Sequence, residues 1–316
     1  MRAERQGIRW ARLAAAVVAL VAMLSACEHS PRGASDGRAA APDGVVVASF
    51  NFPESELLAE IYAQAIERAE VPVRREFDLG PRELVQPAQR QGLVDVIPEY
   101  LGAALASITP NRAIDWTDPQ AVLMVLRQTV APWSFHVLEP SAASDQDGFA
   151  VTQSTADRLH LRTLSDLARV APRLTLGGPT ECPQRPYCLA GLERVYGVHV
   201  KRFLPFDDQA QRATALTEGV IDVAVTFTTD GHLATGQLVL LQDDRHLQPT
   251  DLVTPMVSSR VLSQYGAPLR NALNAVSAAL DTRGLIFLNW RVGVAGENIR
   301  SEARGWLDRH AVVAAG

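Results

Sequence analysis

The chain carries one device twice. GLVDVIPEYLG spans 92–102 and GVIDVAVTFTTDG spans 219–231. Superposed, they align Gly92 with Gly219, Asp95 with Asp222, Val96 with Val223 and Tyr100 with Phe227. Each copy follows a helical segment, 82–90 in the first case and 209–218 in the second. Each glycine is expected to stop its helix, because the position past a helical C-terminus favours left-handed backbone that glycine adopts without penalty. The apolar run that follows reads as a strand covered on both faces. The aspartate at its head is expected to hydrogen-bond the turn. A chain that builds this unit twice, far apart, is building two sheets.

The rest of the sequence agrees. Strand-like runs such as VVVASF (45–50) alternate with amphipathic helices such as 54–70 and 117–130. This βαβ punctuation predicts mostly parallel sheets covered by helices. The expected fold class is α/β, and the length beyond residue 44 suits two lobes rather than one core. Open α/β sheets receive ligands beyond the carboxyl ends of their strands. There the first copy delivers Glu99 and Tyr100, and the second Phe227, Thr228, Thr229 and Asp230. Two similar mouths are therefore expected to face each other across a cleft.

The amino-terminal residues carry a different signal. Arg2, Arg5, Arg9 and Arg12 precede the uncharged run Leu13 to Met23. At about 11 residues that run is too short to span ~30 Å of hydrocarbon comfortably, and it fits a secretory h-region. Leu24-Ser25-Ala26-Cys27 then reads as a lipobox, with Cys27 as the lipidated first residue of the mature chain. The other reading is an uncleaved anchor helix. Residues 28–43 read as a flexible tether, so the expected location is extracytoplasmic, lipid-anchored to a bacterial membrane. Net charge is −5 and the basic residues do not cluster beyond the leader, which leaves nucleic acid no electrostatic footprint.

Cys182 and Cys188, in ECPQRPYC, read first as a disulfide in an exported chain. Metal ligation is the alternative, but the seven histidines are scattered. The phosphate-loop, dinucleotide, nucleophile-elbow and zinc-protease motifs are all missing from the sequence. Glu99 could act as a general base, yet nothing supplies it a partner. The chain therefore reads as a ligand-binding protein rather than an enzyme, with no cofactor or metal.

The ordered set ASFNFPESELLAEIYAQAIE, LGPRELVQPA, GLVDVIPEYLG, TECPQRPYCLAGLERVYG, EGVIDVAVTFTTDG and LQDDRHLQPTDLVTPMV resembles the glycine betaine/choline family of ABC-transporter substrate-binding proteins. That resemblance implies a type II periplasmic-binding-protein fold of two lobes joined by two crossover strands, with lobe one expected at 44–140 and 247–316 and lobe two at 141–246, clamshell closure over a quaternary ammonium osmolyte, and a membrane permease as partner. A quaternary ammonium has no N–H donor and is held by aromatic faces. Carried over by position, the resemblance implies ligand contacts at Tyr100, Phe227 and Phe149. Asn51 and Phe52 stand at a helix N-terminus, which favours anionic groups. Arg82 is a candidate carboxylate donor, and a helix-start salt bridge is the other reading. Thr228, Thr229 and Asp230 either bind ligand or cap the next helix. Phe149 and Phe227 stand where relatives often carry tyrosine. The second functional reading is accordingly a tethered sensor or scavenger for a more apolar or aromatic molecule.

Overall fold

Strands β1 (Val45–Ala48), β2 (Val73–Glu76), β3 (Val96–Tyr100), β4 (Phe135–Val137) and β10 (Val253–Ser258) form one sheet in the order β2-β1-β3-β10-β4. Strands β5 (Asp147–Thr152), β6 (Thr175–Gly178), β7 (Arg202–Pro205), β8 (Val223–Phe227) and β9 (Leu238–Leu240) form the other, in the order β7-β6-β8-β5-β9. These are the same topology twice, with β1, β2 and β3 answering to β6, β7 and β8. The computed structural model describes residues 44–109 and 113–312. The segment read as an export signal, Cys27 and the whole stretch 28–43 read as a tether lie outside them. No described helix is long and apolar enough to cross a membrane.

The parallel expectation holds for half of each sheet. β2, β1 and β3 pair in parallel, as do β7, β6 and β8. β10 runs antiparallel to both β3 and β4, and β5 antiparallel to both β8 and β9. The reason is connectivity. β5 and β10 are the first strands after each crossing between lobes, and each enters its new sheet from the cleft end.

Both sheets are covered on both faces, which is why their strands read as continuous apolar runs rather than alternating ones. In lobe one, helices Pro53–Arg68, Ser259–Ala279 and Ile299–Arg309 pack on one face, contributing Leu57, Ile61, Leu273 and Trp306. Helices Arg82–Arg90, Leu101–Ile108 and Pro119–Val130 cover the other with Val85, Leu105 and Leu126. Lobe two repeats this with a core around Leu164, Leu176, Leu192 and Val223, and a smaller one around Leu216 and Ile221.

The repeated aspartates do not bond their own turns, as the sequence suggested. Each grips the neighbouring strand. Asp95 donates its N–H to the Val46 carbonyl (2.9 Å) and accepts the Val46 N–H on Oδ2 (3.0 Å). Asp222 does the same to Thr175, at 2.9 and 2.8 Å. Strand and neighbour are thus clamped at their entry ends in both lobes. Gly92 and Gly219 stand at φ 72° and 74°, the left-handed backbone that ends the preceding helices.

Two helices are poorly marked in the sequence. Leu101–Ile108 follows β3 without a break, and the long helix that follows β10 begins at Ser259. In the second case Gly266 interrupts the helical backbone and Pro268 follows, which hides the first turns from a periodicity count.

Candidate functional site

A cavity of about 810 Å³ lies between the lobes, at the carboxyl ends of β3 and β8. Aromatic side chains reach it from both sides: Phe52, Tyr100 and Trp116 from lobe one, Tyr187 and Phe227 from lobe two. Phe52 stacks on Phe50 and lies tilted against Tyr100, with ring centroids 6.0 Å from each. Phe227, at the end of β8, is 39% exposed, a large apolar ring left uncovered by its own lobe.

The crossovers run side by side beneath the cavity. Asp145 donates its N–H to the Asp251 carbonyl (3.0 Å), and Val253 donates to Ala143 (2.9 Å). Each crossover therefore presents an aspartate to the cavity, Asp145 and Asp251. The lobes touch again at the far side. Asn289 of lobe one donates its amide to Glu54 (2.5 Å) and to the Thr229 carbonyl of lobe two (2.8 Å). Beside it, Gly231 packs directly on the Asn289–Trp290 backbone.

The residues expected from the sequence divide clearly. Tyr100, Phe227, Phe52, Arg82, Thr229 and Asp230 all line the cavity. Phe149 does not. It is 1% exposed and packs in the lobe-two core with Val151 and Val225. Its same-face neighbour toward the cleft, Asp147, takes the cavity position instead. Asn51 is exposed and outside the lining, its N–H bound to the Gly80 carbonyl. Thr228 ties the first crossover to β8, accepting from the Gln146 N–H and donating to the Ser144 carbonyl, each at 2.9 Å. Arg82 is engaged inside the protein, donating Nε and Nη2 to the fully buried Glu99 at 3.2 and 2.9 Å. The salt-bridge reading is the one observed. Asp230 caps the 3-10 turn Gly231–Thr235 through the His232 N–H.

The cavity residues that sequence reasoning missed are mostly carboxylates. Glu54 lies in the first turn of helix Pro53–Arg68 and is buried. It accepts the Tyr100 hydroxyl at 2.7 Å. Burial pushes its carboxyl up, against hydrogen bonds from Thr229, Tyr100 and Asn289. Asp145 is pushed well up by burial and by the charge of Glu54, while the Thr229 hydroxyl, donating at 2.7 Å, opposes. Burial carries Asp251 up to about 7 despite the Ala103 and Gly102 N–H groups and the charge of Arg82. Burial would raise Asp230 too, but hydrogen bonds from His232 and Thr226 hold it at about 2. The available signals were Asp145 and Asp147 in EPSAASDQDG, a polar stretch between strands, and Asp251 at its counterpart in the second crossover.

Cys182 and Cys188 are joined in a disulfide, and both are buried against the lobe-two core. The bridge closes the segment that carries Arg185 and Tyr187 to the cavity. Reduction is expected to cost about 2 kcal/mol, the chain-entropy value for so short a loop. Thermal unfolding with and without reductant measures it. A melting midpoint indifferent to reductant would contradict this.

Residues 43–309 match the family described as the substrate binding domain of ABC-type glycine betaine transport systems. The glycine betaine-binding protein YehZ of Escherichia coli (strain K12) is 28% identical over 280 residues, 85% of this chain and 91% of that protein. A glycine-betaine-binding protein of Pseudomonas aeruginosa is 26% identical over 269 residues, 82% of this chain and 85% of that one. Among solved structures, a glycine betaine/carnitine/choline ABC transporter protein superposes with a TM-score of 0.78 at 22% identity, covering 85% of this chain and 99% of that one.

Proposed function

Because this chain belongs to the family of substrate-binding domains of ABC-type glycine betaine transport systems, we propose that it is the solute-binding component of an ABC importer. It takes a quaternary ammonium osmolyte of the glycine betaine or choline type into the interlobe cleft and presents it, closed, to a membrane permease. The fold is the type II bilobed α/β fold of such proteins. In this reading the lobes turn about 141–147 and 247–252, and Cys27 carries a lipid that holds the chain at the membrane outside the cytoplasm.

The carrying observation is the pairing of aromatic faces with carboxylates around one cavity. A fixed cation without N–H donors gains from both. Ring faces attract it by about 0.5–2 kcal/mol each once water is excluded, and the carboxylates supply the opposite charge. A more apolar ligand would leave those carboxylates desolvated without compensation, so the sensor or scavenger of apolar molecules is disfavoured.

Phe52, Tyr100, Trp116, Tyr187 and Phe227 supply the rings in this reading, and Thr229 a hydroxyl. Phe149, Asn51 and Thr228 are not carried forward as contacts. The test is calorimetry of the mature chain with glycine betaine, choline and carnitine. Binding of at least one is expected, and Phe227→Ala should weaken it by roughly twofold to thirtyfold, the worth of one ring face. Silence across all three compounds would sink the proposal.

A further inference from the structure

The cleft holds more acid than it neutralises. Glu54, Asp145, Asp147, Asp208, Asp230 and Asp251 line it, against the guanidiniums of Arg82 and Arg185. Both guanidiniums are already engaged. Arg82 is paired with buried Glu99, and Arg185 lies 2.5 Å from Glu181. Three of the carboxylates also have internal partners. Asp208 accepts the Gln211 N–H at 2.8 Å, Asp251 accepts the N–H groups of Gly102 and Ala103 at 2.9 and 3.0 Å, and Asp230 is paired with His232.

Guanidiniums also face Asp147, Asp208 and Asp251 (Arg185 and Arg212, Arg212, and Arg82 respectively), whereas Glu54 and Asp145 face none. Among the described residues neither makes a salt bridge; their partners are the neutral groups of Tyr100, Asn289 and Thr229. Glu54 comes from a lobe-one helix and Asp145 from the first crossover on the cavity floor. Thr229 links them: its hydroxyl donates to Asp145, and its carbonyl accepts the Asn289 amide that also donates to Glu54. Two recessed carboxylates with no counter-charge, on the wall of a cavity that already offers ring faces, want a cation from outside.

We propose that the cleft selects a ligand of net positive charge, a quaternary ammonium alcohol of the choline type over a zwitterionic betaine, and that Glu54 and Asp145 together receive its charge. This rests on the reading of the cleft as a quaternary ammonium site. A betaine must place its own carboxylate in the same cavity, where the guanidiniums are engaged and the other carboxylates repel it. A choline-type cation brings only the charge the pair lacks, and its hydroxyl can donate to a carboxylate.

The same geometry couples binding to protons. The charged and titratable groups facing the pair are Asp147, Asp251 and the Tyr100 phenol, with Arg82 turned to Glu99 and Asp251. Burial pushes both carboxyls of the pair up, so the empty site retains protons that exposed carboxylates would have lost. A bound cation favours the ionised forms, so binding releases protons. Affinity therefore rises with pH while the pair still titrates and levels off above it, by at most about tenfold per pH unit for each proton released.

The experiment is calorimetry of the mature chain with choline and with glycine betaine, at about pH 6 and about pH 8, in two buffers of different ionisation enthalpy. Choline is expected to bind at least about tenfold tighter than glycine betaine, with proton release and with affinity that increases toward the higher pH. Glu54→Gln and Asp145→Asn, each checked for an intact melting transition, should flatten the pH dependence and bring the two affinities together. Glycine betaine binding as tightly as choline, or a choline affinity unmoved by pH in the unaltered chain, overturns the proposal while leaving the quaternary ammonium site standing. Binding of neither compound overturns both.

Discussion

Gly231→Ala is expected to weaken ligand binding by about tenfold to a hundredfold while leaving both lobes folded. A Cβ at Gly231 would stand 2.6 Å from the Trp290 nitrogen, 2.7 Å from the Asn289 carbonyl carbon and 2.8 Å from the Trp290 Cα. All three are backbone atoms of the opposite lobe, so no side chain can rotate out of the way. The turn Gly231–Thr235 would have to draw back from lobe one. Overpacking of this kind typically costs 1–3 kcal/mol. Where opening of the cleft separates these two surfaces, the cost falls on the closed form alone. It therefore appears as lost affinity rather than lost stability. The same contact holds the Asn289 amide against Glu54 and the Thr229 carbonyl, so the displacement also disturbs the cavity wall. Calorimetry gives the affinity, thermal unfolding the stability, and small-angle scattering the opening. A lowered melting midpoint with unchanged affinity would assign the contact to the fold instead of to closure.

Local signals made the architecture legible and long-range ones hid parts of the site. The duplicated glycine–aspartate–strand unit announced two sheets, because its glycine and its apolar run act on their own neighbours in sequence. Helix Leu101–Ile108 was missed because its cap is not local. LGAALASI has no capping side chain before it; Asp251, from the second crossover, accepts the Gly102 and Ala103 N–H groups instead. Phe149 was misplaced by one repeat of the strand pleat. Asp147, not Phe149, lies opposite Phe227 at the cleft end of the β5–β8 pair. Glu54 looked like an ordinary first-turn acidic residue, which complements the helix dipole. Only the packing of Tyr100, Asn289 and Thr229 around it turns it into part of a cavity. The resembling segments contain Glu54 and Asp251 but not Asp145 or Asp147, and the roles carried over from the resemblance fell on aromatic residues rather than on these carboxylates.

Asp95→Ala is expected to destabilise the protein by about 3 kcal/mol, and Asp222→Ala, its partner in the repeat, by about 1 kcal/mol. Both aspartates clamp a neighbouring strand through one backbone N–H. Asp95 does more. It also accepts the Ser258 hydroxyl at 2.7 Å and the Arg260 guanidinium through Nε at 3.2 Å and through Nη2. It is 1% exposed, so its removal strands a buried N–H and a partly buried cation together. Asp222 is half-buried, and water can take over its single bond. For a folded body of this size the larger loss lowers the melting midpoint by roughly 5 °C. Equal losses at the two sites would show that the backbone clamp alone matters. The asymmetry has a functional reason in the geometry. Ser258 ends β10, the strand that the second crossover feeds directly. Through Asp95, β1, β3 and that strand are tied at one point, at the end of the sheet opposite the cavity. Lobe one is then expected to move as a single piece when the crossovers bend, with Tyr100, at the other end of β3, keeping its position relative to Glu54 while Phe227 moves with lobe two. A binding protein of this kind needs one jaw that does not deform, and the extra bonds of Asp95 place that jaw in lobe one.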